Sequence, residues 1–316
     1  MLRVGASSSS NELFCPSGEQ WVIESDDQRA VIVEVGGGLR VYEAGGYAVV
    51  DAYEPGEMSP GGAGATLAPW PNRIRDGRYT FGGKEQRLAL TEPARSNASH
   101  GLLRWQPWQV VDHQPDAVTI AATVHPQPGY PYAVQVETRW NLQPDGLHVD
   151  QRATNVGTET APFGLGMHPY LQLEGTPEPE WLLTLPASRC LLTDERCLPT
   201  ELVNVEDTEY DFRQPRRAVS VQLDTPFTGL ARDERGHAVS TIAAADGTRV
   251  ELWMDATFPW LQVFTADGLA APRTRRSWAI EPMTCPPDAF NSGDDLVVLD
   301  SGATWRGSWG LRRLAA

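Results

Sequence analysis

Two ionisable side chains, His168 and Glu281, each stand directly before a proline, in Gly166-Met167-His168-Pro169-Tyr170 and Ile280-Glu281-Pro282-Met283-Thr284. The residue before proline is pushed out of the α region, because the ring clashes with its N–H and Cβ. Both side chains are therefore expected in extended geometry, at strand ends. An imidazole and a carboxylate so fixed can move a proton on and off a small polar substrate, provided they meet in space. Four further stretches gather polar groups where a strand pattern does not call for them. Asn72 and Arg73 follow Trp70 and two stiffening prolines, Pro69 and Pro71. His100 precedes Gly101, which permits a close approach of ligand or backbone. Asp224 opens Asp224-Thr225-Pro226-Phe227, and Gln262 stands among apolar neighbours in Pro259 to Phe264.

Each residue also has a plain structural reading. A lone histidine is most often at the surface or satisfied in a core, and His113, His125, His148 and His237 are given no chemistry. Asn72 and Arg73 fit a turn residue and an ion-pair partner equally well. Asp224 fits a turn before Pro226, and Gln262 a solvent-facing strand position. Glu281 is less easily dismissed, since a carboxylate entering an apolar strand is rarely buried unpaired.

The elements that must position these groups read as strands. Val31, Val33 and Val35 alternate, then Gly36-Gly37-Gly38 turns the chain toward Leu39 and Val41. Val134 to Leu142 alternates up to Pro144-Asp145-Gly146, and a third hairpin runs from Thr241 to Met254 around Asp246-Gly247. These are hairpin signals, with period two and Gly-containing turns. No twelve-residue window has helical periodicity and no fixed-period repeat is present. The 29 glycines and 25 prolines are spread over many short connections. The expectation is one all-β domain over residues 14–316, behind a frayed tail over 1–13.

A net charge of −15 argues against a phosphate backbone or an anionic lipid surface as partner, since both repel acidic surfaces. No stretch is apolar enough to span a membrane as a helix. With no apolar segment near Met1 and no C-x-x-C spacing, a cytoplasmic protein with free thiols is expected. Lys84 is the single lysine against 25 arginines and falls in a hairpin turn, which argues against Schiff-base chemistry.

Taken together and in order, the segments resemble the aldose 1-epimerase (galactose mutarotase) family. The resemblance rests on Asn72-Arg73-Ile74 with the Arg75 to Phe81 hairpin, His100-Gly101, His168-Pro169-Tyr170, Asp224 to Phe227, Leu261-Gln262, Glu281-Pro282 and Pro287 to Asn291. It spans about Val31 to Leu311. Leu102, Leu171-Gln172 and Met283 depart from the pattern of the galactose enzymes and bear on which sugar is taken. The resemblance implies a large twisted antiparallel β-sandwich with an open cleft on a concave sheet. It implies interconversion of the α and β anomers of a free aldohexose or aldopentose by a monomer or weak dimer, with no cofactor or metal. Glu281 would take the anomeric proton and His168 would deliver one to the ring oxygen, from opposite flanks of the hollow. Asn72, Arg73, His100, Asp224 and Gln262 would hold the sugar, and Trp70 would stack on it. Three alternatives stay open: a 6-phosphate sugar held by Arg75, Arg78, Arg104 and Arg139, a carbohydrate-binding protein without catalysis, and a domain accessory to a glycoside hydrolase or lyase with Asp224 as the second carboxylate opposite Glu281.

Overall fold

The alternating segments fold into two large antiparallel sheets in the computed structural model, which describes residues 15–316. The tail expected over 1–13 lies outside the described residues. The first sheet has nine strands, in the order 109–113, 117–124, 134–143, 146–155, 304–314, 249–254, 238–243, 182–184 and 216–217. Two of the three hairpins read from the sequence are present in it, Leu142 pairing Leu147 across Pro144-Asp145-Gly146 and Ala243 pairing Arg249 across Asp246-Gly247, while the Val31 to Val41 hairpin pairs Ile32 with Leu39 in a smaller sheet. The second has eight strands, in the order 199–204, 187–193, 224–230, 260–264, 278–283, 166–167 and 66–67, with 170–171 also pairing 278–283. Residues 20–48 add a smaller four-stranded sheet. Among the described residues, helix is confined to Ala289–Ser292 and three single 3-10 turns. No helix among the described residues is long and apolar enough to cross a membrane.

Period two decides which side chains are buried between the sheets, because successive residues of a strand point to opposite faces. Val136, Trp140, Val149 and Trp309 of the nine-stranded sheet share one core with Met167, Phe227, Leu261, Val263 and Ile280 of the eight-stranded one. Trp140 and Trp309 meet edge to face at 6.0 Å. Gln151 reaches across from the first sheet to donate to Met167 Sδ of the second at 3.2 Å. The residues that alternate with those core positions, Gln262, Phe264, Glu281, His168 and Tyr170, are left on the other face of the eight-stranded sheet.

Glu281 departs from the expected strand end: it lies inside the Trp278–Met283 strand. Pro282 nevertheless marks the neighbouring strand. Ile280 and Thr284 donate to Pro169 O at 3.3 Å and Leu165 O at 2.9 Å. The position between them faces the same strand with no N–H to give. Pairing is broken there into Gly166–Met167 and Tyr170–Leu171, with His168 and Pro169 in the gap.

Candidate active site

Register places the two proton carriers side by side. Gly166 pairs Met283 and Tyr170 pairs Ala279, so His168 comes opposite Glu281, and Glu281 in turn pairs Gln262. A second row on the same face runs Tyr170, Ala279, Phe264, Asp224. Ala279, the small member of that row, leaves room between Tyr170 and Phe264. Above these rows lies a cleft of about 350 Å³, lined by His168, Tyr170, Glu281, Gln262, Phe264 and Asp224 from the sheet. That volume is in the range of small-molecule sites, about 300–1,000 Å³. Asn72, Arg73, Glu92, Arg95 and His100 line one side, and Gly61, Gly268 and Leu269 the other. All seven residues singled out by the sequence thus meet in one cleft.

His168 Nε2 lies 3.4 Å from Glu281 Oε1, with both side chains buried. The expectation of opposite flanks is corrected here: the pair occupies one wall, because register sets the residues on neighbouring strands. At that separation two charged groups would form a salt bridge, but burial opposes both charges. It pushes Glu281 well above the usual carboxylate range, with the Asp224 charge adding to the effect and Arg73 opposing it. It pushes His168 down to about 3, with a contact to its own backbone opposing and Arg104 and Arg73 helping. The neutral acid and the neutral imidazole are therefore the favoured forms of the pair. Glu281 Oε2 and His168 Nδ1 are buried and have no hydrogen-bond partner among the described residues.

The polar side of the cleft is built from two turns locked to each other. Asn72 and His100 both have left-handed φ, 55° and 60°. His100 N–H donates to Asn72 O at 2.7 Å, and Asn72 N–H donates back to His100 Nδ1 at 3.2 Å. With Nδ1 acting as acceptor, the imidazole proton resides on Nε2, which makes His100 a donor to a ligand. Burial, then the neighbouring His168, Arg104 and Arg73, hold it well below its ordinary range, so it stays neutral. Gly101 follows because a Cβ there would lie 2.2 Å from Ala68 O.

A directed chain of hydrogen bonds crosses the cleft. Arg73 Nη1 donates to Asn72 Oδ1 at 3.1 Å, and Asn72 Nδ2 to Gln262 Oε1 at 3.2 Å. Gln262 Nε2 donates to Asp224 Oδ1 at 2.7 Å, and Arg73 Nη2 stands 3.9 Å from Asp224 Oδ2. The guanidinium is held in orientation by Glu92, through Nε at 2.8 Å and Nη2 at 3.2 Å. Burial works against the Arg73 charge, yet Glu92 and Asp224 outweigh it and hold the group firmly protonated. Asp224 also accepts from Cys197 Sγ at 3.6 Å.

Some expectations fail. Trp70 is buried, packs edge-on against Phe290 at 5.8 Å and does not line the cleft. The aromatic walls are Tyr170 and Phe264, each two residues beyond a site residue on its own strand, which is the period-two signal for a shared face. Glu92 was also missed. It precedes Pro93, as His168 and Glu281 precede their prolines, but so do Glu54 and Glu178 elsewhere in the chain. None of Arg75, Arg78, Arg104 and Arg139 lines the cleft. Arg75 faces Asp288, Arg78 faces Glu85, and Arg104 lies over the Trp105 ring.

The sequence model for aldose 1-epimerase matches residues 19–312. The chain belongs to the aldose 1-epimerase family. Among its relatives is the uncharacterized protein YihR of Escherichia coli K12, 36% identical over 291 residues, 92% of each chain. Galactose mutarotase of Mus musculus is 27% identical over 237 residues, covering 69% of this chain and 66% of that protein. Solved aldose epimerase folds superpose over most of the chain. A putative aldose 1-epimerase from E. coli K12 gives a TM-score of 0.80 at 23% identity, covering 94% of this chain and 99% of that one. The GalM/aldose epimerase homologue from C. elegans gives 0.83 at 18%, with the same coverage. The departures from the galactose enzymes noted in the sequence are Leu102, Leu171, Gln172 and Met283. None of these four lines the cleft here. Met283 packs with Trp260 and Leu191, and Gln172 donates to Val50 O at 3.1 Å.

Proposed function

We propose that this protein interconverts the α and β anomers of a free aldose, with Glu281 as base and His168 as acid. The observation that carries the reading is the buried His168–Glu281 contact of 3.4 Å, set in a cleft ringed by Asn72, Arg73, His100, Asp224 and Gln262. The anomeric hydroxyl and the ring oxygen of a cyclic aldose are bonded to the same carbon, so a base and an acid on adjoining strands reach both from one side. The neutral pair and the carboxylate–imidazolium pair hold the same one proton, so the site reaches its working form by a shift within the pair. The Glu281 carboxylate takes the proton of the anomeric hydroxyl and that oxygen forms a carbonyl. The bond from C1 to the ring oxygen breaks, and His168 protonates the departing oxygen. Glu281 is then the acid and His168 the neutral base, the forms that burial favours. After rotation about the C1–C2 bond, His168 takes back its proton as the hydroxyl attacks the other face of the carbonyl, and Glu281 reprotonates the anomeric oxygen.

The remaining groups suit a neutral polyol. Gln262 and Asn72 have their amides oriented by the chain of hydrogen bonds, and His100 offers Nε2–H. Arg73 and Arg95 are both already bonded to Glu92, which leaves no unpaired cation among the cleft residues for a phosphate. Free sugars fit this balance better than 6-phosphates.

The test is a panel of free aldoses and their 6-phosphates, followed by polarimetry and by NMR exchange between anomer signals. At least one free sugar is expected to anomerise faster with the protein, and Glu281→Gln to lose roughly 10²–10⁴ in rate while sugar still binds. Binding with undiminished anomerisation in Glu281→Gln would instead mark a carbohydrate-binding protein.

A further inference from the structure

We infer that Tyr170 is a positioning residue for His168, holding the imidazole by its ring face and stabilising its protonated form by the negative face of the phenol. The inference rests on the acid role proposed for His168. A histidine that handles protons is commonly oriented by a hydrogen bond at the ring nitrogen away from the chemistry. His168 has no well-formed bond of that kind: Nδ1 is buried and without a hydrogen-bond partner among the described residues, and Nε2 faces Glu281 Oε1 at 3.4 Å on the side of the chemistry. Backbone bonds fix its main chain, with His168 N–H donating to Ala65 O at 3.2 Å and Gly64 N–H donating to His168 O at 2.8 Å. They do not fix rotation of the ring. What meets the ring is Tyr170, stacked at 4.9 Å between centroids and 21° between planes. His100 abuts it edge to face at 5.7 Å and 70°.

The pairing follows from the strand. Residues 168 and 170 project to one face with Pro169 between them, so the stack is built by period two in a segment stiffened by proline. The Tyr170 ring is itself held: it meets Phe264 edge-on at 6.4 Å, and its hydroxyl lies 3.4 Å from Gly61 O. A ring face carries partial negative charge, which attracts a cation lying over it. That attraction matters at His168 because the imidazolium must form where burial opposes it. The phenol stays neutral in this role: burial, then the charges of Glu281, Asp224 and Asp51, hold its hydroxyl far above ordinary ionisation.

The experiment replaces Tyr170 by Phe, by pentafluorophenylalanine and by Leu, and measures kcat and KM for the best free sugar of the panel. Tyr170→Phe is expected to keep kcat within about threefold. The fluorinated ring keeps nearly the same shape but reverses the charge on the face, and is expected to lower kcat about tenfold with KM within about twofold. Tyr170→Leu is expected to lose at least as much. Thermal melts accompany each variant, so that a Leu variant that does not fold leaves the two aromatic variants to decide. Equal kcat for Phe and pentafluorophenylalanine overturns electrostatic support, and a wild-type kcat in a folded Leu variant overturns positioning as well. His168→Gln is run alongside: wild-type anomerisation in that variant would remove the acid role itself, and the inference with it. Loss there, combined with indifference to Tyr170, would sink the inference alone.

Discussion

At the scale of single residues, each group of the site depends on the neighbours that hold it. Arg73 shows this best. Its buried guanidinium is fixed in orientation by two bonds to Glu92, while Nη1 donates to Asn72 and Nη2 stands 3.9 Å from Asp224. Arg73→Lys keeps the charge but cannot reproduce that fork. A hydrogen bond to a charged group is worth about 1.5–3 kcal/mol, so roughly a 10- to 150-fold fall in kcat/KM is expected for Arg73→Lys. Glu92→Gln should lower the urea midpoint as well, since it leaves a buried cation short of its counter-charge. An Arg73→Lys enzyme with unchanged kcat/KM would show that this edge of the cleft does not meet the sugar. Glu92 was not legible beforehand, because pre-proline glutamates recur where they have other partners. Glu178, for one, precedes Pro179 and holds Arg275 and Trp278.

At the scale of elements, the site is carried by strand register on the sheet side and by turns on the other. Asp224, Gln262, Glu281 and His168 fall on one face because four neighbouring strands are held in antiparallel register. A slip of one residue in any of these strands would turn its site residue into the core. The turn side is more delicate. His100 reaches its place only because Gly101, at φ 71°, brings the chain against Ala68 O. Gly101→Ala is expected to cost roughly 1–3 kcal/mol for the left-handed backbone alone, before the contact with Ala68 is relieved. Urea denaturation measures that cost, and anomerisation should fall further than the stability loss explains, since the His100 turn must move. A variant of wild-type stability would mean that the close approach is not rigid.

At the scale of the whole molecule, the His168–Glu281 pair couples folding to pH. In the fold the pair holds one proton, because His168 is pushed down to about 3 and Glu281 is pushed up. Unfolded, with ordinary values of 6.5 and 4.5, the same residues hold two protons below pH 4.5, one between 4.5 and 6.5, and none above 6.5. Stability rises with pH where the unfolded chain holds more protons and falls where it holds fewer. The pair is therefore least costly between about pH 4.5 and 6.5. It subtracts stability as pH falls below that window, and again as pH rises above it until Glu281 ionises in the fold. The limiting slope is about 1.4 kcal/mol per pH unit on either side. Urea midpoints measured from pH 4 to 9 should show this curvature relative to a His168→Gln, Glu281→Gln double variant. Parallel profiles would mean that the fold does not keep one proton on the pair across this range.

The amino-acid sequence by itself determined the sheet class, the hairpins and the family. Period two, Gly-containing turns and the order of His168-Pro169, Gln262 and Glu281-Pro282 are local, and each is readable without knowing what lies opposite. Only the tertiary structure decided that His168 and Glu281 share one wall, that Trp70 belongs to the core, and that Glu92 and Tyr170 brace the site. Those outcomes depend on which strands lie side by side and in what register. That is set by burial of Trp140, Leu261, Ile280 and Trp309 between two sheets, an energy summed over residues far apart in the chain.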